Sequence, residues 1–343
     1  MERNNTIDIA RGIGMLGIVM LHMQLVITYP FGASAVSLFF LISGYLMKPI
    51  ANKIDYIKNR LKRLLVPYGF TALMMLLCGV LANTIFPTGK SNGQVALEWI
   101  YAAFYGAGDP YTEPFYIKSI GGIWFLLATL WAVIFMQWII EKNRVWQIIC
   151  VAALFVAGAA TARLLWLPFS IQSGMCSTAY MYVGYLAREG LPWLKKQGKV
   201  VRGGFLLFCV AACIGFYVFF EDFWLVHCEF SHGIFDIIGS LGAGVCYLII
   251  SAVISRYFRI LGKGLAFVGK YSIVILCVHI VELEAFPWGD IINILIDHGV
   301  SEYMATAILL RLFKILWIAA GTIFCIYCPI TQKVFGIKKH GRK

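Results

Sequence analysis

The sequence predicts an all-α fold: a polytopic membrane protein with about ten transmembrane helices and both termini in the cytoplasm. Three observations support this prediction. Hydrophobic residues make up 60% of the chain and charged residues only 13%, whereas an ordinary soluble domain carries roughly 25% charged residues. The mean hydropathy is +0.80. The Lys and Arg residues are also distributed unevenly along the chain.

The chain contains ten apolar segments, and most of them are close to the roughly 20 residues that cross a hydrocarbon core. We predict spans over 9–29, 33–49, 66–87, 121–140, 146–167, 171–187, 203–223, 233–254, 263–285 and 304–330. The longest stretch between spans, 88–120, is rich in glycine and aromatic residues and is predicted to lie outside. We therefore expect residues 1–343 to form a single integral-membrane domain.

The charge distribution predicts the orientation of these spans. With a cytoplasmic N-terminus, 24 of the 29 Lys and Arg residues lie at or beside inner segments, as the positive-inside rule requires. Orientation and contact with membrane lipids thus account for the net charge of +12, and we expect no nucleic-acid partner. The expected location is the plasma or inner membrane of the cell.

The inner segment 51–65 is predicted to be a basic amphipathic helix that ends at Pro67. Its cations are Lys53, Lys58, Arg60, Lys62 and Arg63. Arg60 and Arg63 are three residues apart and share one helix face, and paired guanidinium groups bind phosphate bidentately. Two interpretations stay open: contact with lipid head groups, or a site for a phosphorylated cytoplasmic cofactor that Arg11 would join.

His22 lies within the first predicted span, eleven residues after Arg11. Eleven residues of a helix make about three turns and rise roughly 16 Å, so Arg11 and His22 share one stripe with Met15 and Ile18. An unpaired imidazole deep in a bilayer is costly. His22 is therefore predicted either to take part in chemistry or a polar pathway, or to be hydrogen-bonded to a neighbouring helix.

Six sequence motifs follow one another along the chain. They are Asp8-Ile-Ala-Arg11-Gly with His22 ten residues later, Leu38-Phe-Phe-Leu-Ile-Ser-Gly-Tyr45, Arg60-x-x-Arg63 before Pro67-Tyr68, Trp124-Phe125-Leu126, Tyr182-Val-Gly-Tyr-Leu186, and Gly269-Lys-Tyr-Ser272 before His279. In this order and with this topology, the chain resembles the membrane acyltransferase-3 family over nearly its whole length.

This resemblance implies a fold of about ten spans and the transfer of an acyl group, most often acetyl from acetyl-CoA. The acceptor would be a hydroxyl of an extracytoplasmic carbohydrate or lipid-linked glycan, and no metal is expected. By position, His22 would be the catalytic histidine, and Arg11, Arg60 and Arg63 would bind the cofactor, together with the neighbouring Lys58. His22 would act as a general base or carry the acetyl group covalently.

Three further residues are candidates near the catalytic level. His279 lies 16 residues from the inner end of its predicted span, roughly 24 Å deep, and is either a second catalytic group or a structural histidine. Glu282, three residues later, is predicted to orient His279 or to contact substrate. Close helix packing is the default explanation for Ser43 and Gly44, and the family resemblance implies in addition that Ser43 lines the acyl channel.

Two cations in the last span, Arg311 and Lys314, depart from the charge asymmetry. An intramembrane cation normally faces a cavity or a counter-ion, or extends to the head groups. We assign Arg311 to the binding of a glycan carboxylate or lipid phosphate. Trp124 is assigned to the acceptor as well, because aromatic rings offer apolar faces to sugars.

The ten cysteines do not predict a disulfide framework, because most lie within spans, where cysteine acts as a small hydrophobic residue. Cys325 and Cys328 have the spacing of a redox motif but no nearby histidine, so we expect no metal or redox centre.

Two other functions compete with acyl transfer. A transporter that exports a glycan or an acyl metabolite would use the same buried histidine and cations to line a pathway. A scaffold of a polysaccharide assembly complex would tolerate replacement of His22. Binding or hydrolysis of acetyl-CoA distinguishes the enzyme from both.

Overall fold

The computed structural model of the protein describes residues 5–23, 28–50, 52–113 and 115–337. Almost all of its regular structure is helical, as predicted. The helices are α1 (Asn5–Leu21), α2 (Tyr29–Tyr45), α3 (Lys53–Ile85), α4 (Asn92–Tyr105), α5 (Trp124–Ile139), α6 (Arg144–Ala162), α7 (Ile171–Lys196), α8 (Lys199–Val218), α9 (Ile234–Tyr257), α10 (Arg259–Lys270), α11 (Ser272–Ala285), α12 (Trp288–Asp297), α13 (Leu310–Tyr327) and α14 (Pro329–Val334). A short antiparallel hairpin pairs β1 (Phe223–Trp224) with β2 (Glu229–Phe230).

The chain is a multi-pass membrane protein. Among the described residues, six helical segments are long and apolar enough to cross a membrane, and a seventh is added if the bent pair α10 and α11 counts as one span. The other three predicted spans are also helical: α1 and α2 have 17 residues each, and α7 has 26 residues, many of them polar. The count of ten spans and the cytoplasmic termini stay predictions.

The chain divides into two compact units. The first unit comprises Met1–Lys58 and Ala128–Ser272, and the second unit comprises Asn59–Leu127 and Ile273–Lys343. Each unit combines a segment from the N-terminal part of the chain with a later segment. Each is described separately below.

Helices of the first unit meet at glycines. A Cβ atom at Gly44 of α2 would lie 1.7 Å from the carbonyl oxygen of Met181 in α7, and one at Gly184 would lie 2.0 Å from that of Leu41. A similar close approach joins α1 to α10 at Gly12. Only glycine allows the backbones of two helices to approach so closely. The packing interpretation of the Ser43–Gly44 pair therefore holds for Gly44.

In the second unit, α13 packs against α11. A Cβ atom at Gly321 would lie 2.6 Å from Cγ1 of Val278, and the indole N–H of Trp317 donates to the Val278 carbonyl at 3.1 Å. Aromatic rings extend this contact past the end of α11, where the Phe286 and Trp317 ring centroids are 4.8 Å apart. These contacts place one face of α13 along α11.

The first predicted span, 9–29, is wrong at its C-terminal end. α1 ends at Leu21, and His22 lies in the turn that follows. Residues 24–27 of the predicted span lie outside the described residues. α2 has Pro30 in its first turn, where the missing N–H of proline removes no helical hydrogen bond. Hydropathy alone cannot separate two apolar helices joined by a short apolar connection.

The predicted helix end at Pro67 is also wrong. The basic segment and the following span form one continuous helix of 33 residues, α3, with Pro67 inside it. The Thr71 hydroxyl donates to the Pro67 carbonyl at 2.8 Å. Proline is tolerated within membrane helices because neighbouring groups can satisfy the backbone atoms it disturbs.

The predicted span 263–285 is a broken helix. α10 and α11 meet at an angle of 68°, with Tyr271 between them. The apolar pattern continues through the break, and for this reason the sequence predicted a single straight span.

The stretch 88–120, which was predicted to lie outside, contains a helix that the sequence analysis missed. Ser91 caps the N-terminus of α4: its hydroxyl accepts from the backbone N–H of Gln94, and the Gln94 side chain accepts from the backbone N–H of Ser91. This reciprocal capping box is a known signal for the start of a helix, so the sequence did carry the information.

Candidate active site

The second unit buries a histidine and a glutamate in contact with each other. A spacing of three residues places His279 and Glu282 on one face of α11. His279 Nδ1 lies 2.8 Å from Glu282 Oε1, and both side chains are fully buried. A carboxylate that bonds one ring nitrogen sets the orientation of the imidazole. The contact expected from the sequence between Glu282 and His279 is thus present.

The single straight span on which the predicted depth of His279 rested is wrong. The 24 Å estimate counted 16 residues of one straight span, but the helix is broken at Tyr271. His279 lies seven residues after Ser272, the first residue of α11, which corresponds to a rise of roughly 10 Å. Seven residues are close to two turns, so Ser272 and His279 share one face.

The oxygen atoms of Glu282 differ in their hydrogen bonding. Its backbone carbonyl accepts a hydrogen bond from the indole N–H of Trp288 at 2.8 Å. Of its carboxylate oxygens, Oε1 bonds His279, whereas Oε2 is buried with no hydrogen-bond partner among the described residues. Buried carboxylate oxygens are normally hydrogen-bonded. Glu282 therefore has an unused acceptor inside the protein.

The structure distinguishes the two cations of the last predicted span. Arg311 is partly buried, and its guanidinium Nη1 donates at 3.3 Å to the Ala307 carbonyl, which lies in the π-helical segment Met304–Leu309 before α13. Lys314 is only 7% exposed, and its ammonium lies 5.6 Å from the ring centroid of Trp288. The sequence analysis chose Arg311 for substrate, but Lys314 is the more deeply buried cation.

Trp288 is a residue that sequence reasoning missed. It contacts both the Glu282 carbonyl and the Lys314 ammonium. A single tryptophan in an outer segment carries no pattern that would predict this position. Lys314 did carry a signal, because a lysine within an apolar span is unusual.

Two other predicted site residues, Trp124 and Ser43, contact neighbouring residues of their own helices. Trp124 is the first residue of α5 and is buried, with its ring edge-on to Phe125. The Ser43 hydroxyl donates to the Phe39 carbonyl one turn earlier in α2, at 2.8 Å. Their assigned roles, acceptor contact for Trp124 and the acyl channel for Ser43, stay predictions.

In the first unit, α1 carries the predicted stripe up to its last turn. Met15 and Ile18 are buried, while the Arg11 side chain is 28% exposed and lies 4.0 Å from the Asp8 carboxylate. His22 is half-buried in the turn after α1, and its backbone N–H donates to the Ile18 carbonyl at 3.3 Å. Arg11, the seventh residue of α1, is therefore separated from His22 by the remaining ten residues of the helix.

The predicted cofactor-binding cations of α3 lie before Pro67. Lys58 and Arg63 are exposed, and Arg60 is partly buried. All three precede the apolar part of the helix, and Arg60 and Arg63 share one face. This end of α3 therefore combines several cations with solvent access.

Comparison with known proteins identifies a family for this chain. The model of the acyltransferase-3 family, described as an acyltransferase domain, matches residues 4–331. No curated protein and no solved structure matches the chain. The family match includes every candidate site residue described above.

Proposed function

This chain belongs to the acyltransferase-3 family, and on that premise we propose that it transfers an acetyl group from cytoplasmic acetyl-CoA to a hydroxyl of an extracytoplasmic carbohydrate. The chain is a multi-pass membrane acyltransferase. The proposal adds the acetyl donor, the acceptor, which is a surface polysaccharide unit or a lipid-linked glycan, and the plasma or inner membrane as the location.

The cations of α3 and α1 support CoA as the donor. Lys58, Arg60 and Arg63 lie within two turns of α3 and reach solvent. Guanidinium groups bind phosphate oxygens bidentately, and Arg11 adds a fourth partly exposed cation. We assign the phosphates of CoA to these four residues. When bound, the donor supplies an acyl group activated as a thioester.

We assign the role of general base to His22. His22 takes the proton of the acceptor hydroxyl while that oxygen attacks the thioester carbonyl. A C–O bond forms, the C–S bond breaks, and His22 returns the proton to the departing CoA thiolate. The eleven-residue separation of Arg11 and His22, roughly 16 Å along a helix, supports phosphate binding at one end and acyl transfer at the other. The alternative route passes through acetyl-His22.

The buried pair His279 and Glu282 supports a second catalytic role. Negative charge develops on the carbonyl oxygen during attack, and a positioned hydrogen-bond donor stabilises it. We assign that hydrogen bond to His279 and the orientation of its ring to Glu282. Ser43 is assigned to the acyl channel, and Trp124 and Arg311 to the acceptor.

The family match carries this proposal, and acetyl-CoA turnover tests it. The purified full chain in lipid nanodiscs is expected to release the CoA thiol from acetyl-CoA, and His22→Ala should lower that rate about 10²–10⁴-fold. Arg60→Gln and Arg63→Gln should each raise KM for acetyl-CoA about tenfold, the equivalent of one charge-assisted hydrogen bond.

Lys90→Gln is the control for these variants. Lys90 forms an ion pair with Glu98 at 2.6 Å, outside the predicted spans, so its loss should change neither rate nor KM. A wild-type protein that neither binds nor consumes acetyl-CoA would refute the proposal. Mass spectrometry of surface glycans from cells with and without the protein then identifies the acceptor by the loss of acetyl groups.

One observation favours a second candidate function, an exporter of a glycan or acyl metabolite. Broken membrane helices line substrate pathways in many transporters, and α10 and α11 are bent by 68°. An exporter would move its substrate without releasing CoA. Arg60→Gln and Arg63→Gln would then leave the flux unchanged.

A further inference from the structure

Lys314 is a buried cation without an ionic partner among the residues that the structure describes. The residue is 7% exposed, and its ammonium lies over the face of Trp288, 5.6 Å from the ring centroid. An ammonium group in a membrane-spanning helix normally pairs with an acceptor or faces a polar cavity. A single aromatic face replaces little of the hydration that the ammonium loses. Lys314 therefore has donors available for a ligand.

The contacts between α11 and α13 show that the two helices are antiparallel. Val278, in the middle of α11, meets Trp317 and Gly321 of α13. Phe286, just after α11, instead meets Phe313, with ring centroids 6.4 Å apart. Moving toward the C-terminus of α11 therefore means moving toward the N-terminus of α13.

This register places Glu282 opposite Lys314. Glu282 follows Val278 by four residues, so the two side chains share one face of α11. Lys314, Trp317 and Gly321 follow the i, i+3, i+7 pattern and share one face of α13. We infer from this register that the Glu282 and Lys314 side chains lie at the same level of the helix pair, one turn from the Val278 contact. The described residues show no ion pair between them.

The chemistry of these two groups selects the ligand. The ammonium only donates hydrogen bonds, and the unpartnered Oε2 of Glu282 only accepts them. A hydroxyl group does both, so a pair of neighbouring hydroxyls satisfies Lys314 and Glu282 together. A carboxylate or phosphate would attract Lys314 but would be repelled by Glu282.

An aromatic surface borders the same site. The Trp288 and Phe313 ring centroids are 5.3 Å apart, and Phe286 and Trp317 continue the cluster. Such faces pack against the C–H groups of a sugar ring. We infer that Glu282, Lys314 and Trp288 form a binding site for a neutral sugar, whose hydroxyls accept from Lys314 and donate to Glu282.

This inference rests on the proposed function, since the bound sugar is the acceptor of acyl transfer, and it narrows the acceptor to a neutral sugar. Glu282 contacts His279 through its other oxygen at 2.8 Å. The Glu282 carboxylate therefore lies between the bound sugar and the His279 imidazole. Glu282 disfavours a carboxylate or phosphate group on the sugar ring that occupies this site.

Saturation-transfer difference NMR on the full chain in nanodiscs tests this site without requiring turnover. The probes are methyl glycosides of glucose, galactose and mannose, each paired with the corresponding uronic acid. At least one neutral glycoside should bind the wild type and bind better than its acidic counterpart. Lys314→Met and Glu282→Gln should each weaken that binding about tenfold or more, as expected for the loss of a charged hydrogen bond.

Lys118→Met is the matched control, because Lys118 also lies over an indole ring, that of Trp99, at 4.6 Å in the second unit. It should bind the neutral glycoside like the wild type. Glu282→Gln preserves the side-chain shape and an acceptor for His279, so it tests the site even if Lys314→Met does not fold. Unchanged binding in both site variants, stronger binding of the acids, or no neutral glycoside bound would each overturn the inference.

Acetyl-CoA turnover by the wild type separates this inference from the proposed function. A protein that releases CoA but binds no neutral sugar overturns the sugar site alone. A protein that binds the sugar but neither binds nor consumes acetyl-CoA overturns the acyltransfer proposal alone.

Discussion

Two buried polar clusters, one in each unit, differ in kind. In the core of the first unit, the Tyr247 hydroxyl lies 2.7 Å from that of Ser34 and 2.6 Å from that of Tyr217. The first unit also buries the carboxylates of Asp8 and Asp236, but each of them lies near a cationic or titratable partner, Arg11 and His232. In the second unit, α11 and α13 bury the ionisable side chains His279, Glu282 and Lys314. A neutral hydroxyl is inexpensive to bury once it is hydrogen-bonded, whereas an unmatched charge is costly. Hydrogen bonding accounts for the buried hydroxyls of the first unit. The buried ionisable groups of the second unit instead indicate a functional role.

The helix contacts of the two units also differ. The first unit brings helix backbones together at Gly44 and Gly184, which fixes the positions of α2 and α7. The α11–α13 pair of the second unit has one close glycine, Gly321, and beyond it the contacts are between aromatic side chains. We therefore expect substitutions at the glycine contacts of the first unit to lower stability. Substitutions in the α11–α13 pair are expected to lower ligand binding while stability is retained.

The largest expected effect is on the packing of the first unit. Gly44→Ala places a Cβ atom 1.7 Å from the Met181 carbonyl, so α2 and α7 must separate, and we expect a loss of about 3 kcal/mol of stability. Gly190→Ala in α7 is the control: no atom lies within 4 Å of the added Cβ, and alanine favours a helix by about 1 kcal/mol over glycine. Thermal unfolding in detergent measures both, and equal melting temperatures would contradict this contact.

A smaller effect tests the contrast between hydroxyls and charges. Tyr247→Phe removes a buried hydroxyl with two partners and should lower stability by about 1 kcal/mol. Lys314→Met should leave stability unchanged or raise it, because it removes the desolvation cost of a buried ammonium that has no ionic partner among the described residues. If Lys314→Met unfolds at a lower temperature than Tyr247→Phe, then Lys314 supports the fold and the contrast fails.

The smallest effect is a labelling rate that reports orientation. Backbone N–H groups of Thr331 and Ile330 lower the pKa of the Cys328 thiol, so its thiolate persists at lower pH than that of an ordinary cysteine. Cys328 should react with an impermeant maleimide a few-fold faster at neutral pH than an ordinary exposed cysteine, and its rate profile should lie at lower pH. Labelling should occur in inverted vesicles and not in intact cells, with Cys328→Ser as the control.

This labelling also bears on the sugar site. Cys328 lies directly after α13, at the end of the helix away from Lys314. Labelling from the outside of intact cells would place Lys314 in the inner half of the membrane. The sugar site would then be on the wrong side for an extracytoplasmic acceptor.

Much of the helical structure and part of the candidate site were predictable from the sequence. The long apolar segments identified the helices, and the spacing of three between His279 and Glu282 indicated their contact on one helix face. The errors occurred at ends and breaks: the turn at His22, the continuation of α3 through Pro67 and the bend at Tyr271. At His22 and Tyr271 the apolar pattern continues while the helix ends or bends, and at Pro67 the composition changes from basic to apolar while the helix continues. Hydropathy therefore does not mark these helix boundaries.

Local, periodic features were determined by the sequence alone. Helix formation, the membrane location and the shared face of His279 and Glu282 depend on residues within a few turns of one another, and backbone geometry sets their relation directly. Only the tertiary structure decided that Lys314 rather than Arg311 is the more deeply buried cation, and that Trp288 contacts both Lys314 and the Glu282 carbonyl. Such pairings join residues far apart in the chain, and they depend on the rotation and register of one helix against another, which no local pattern specifies.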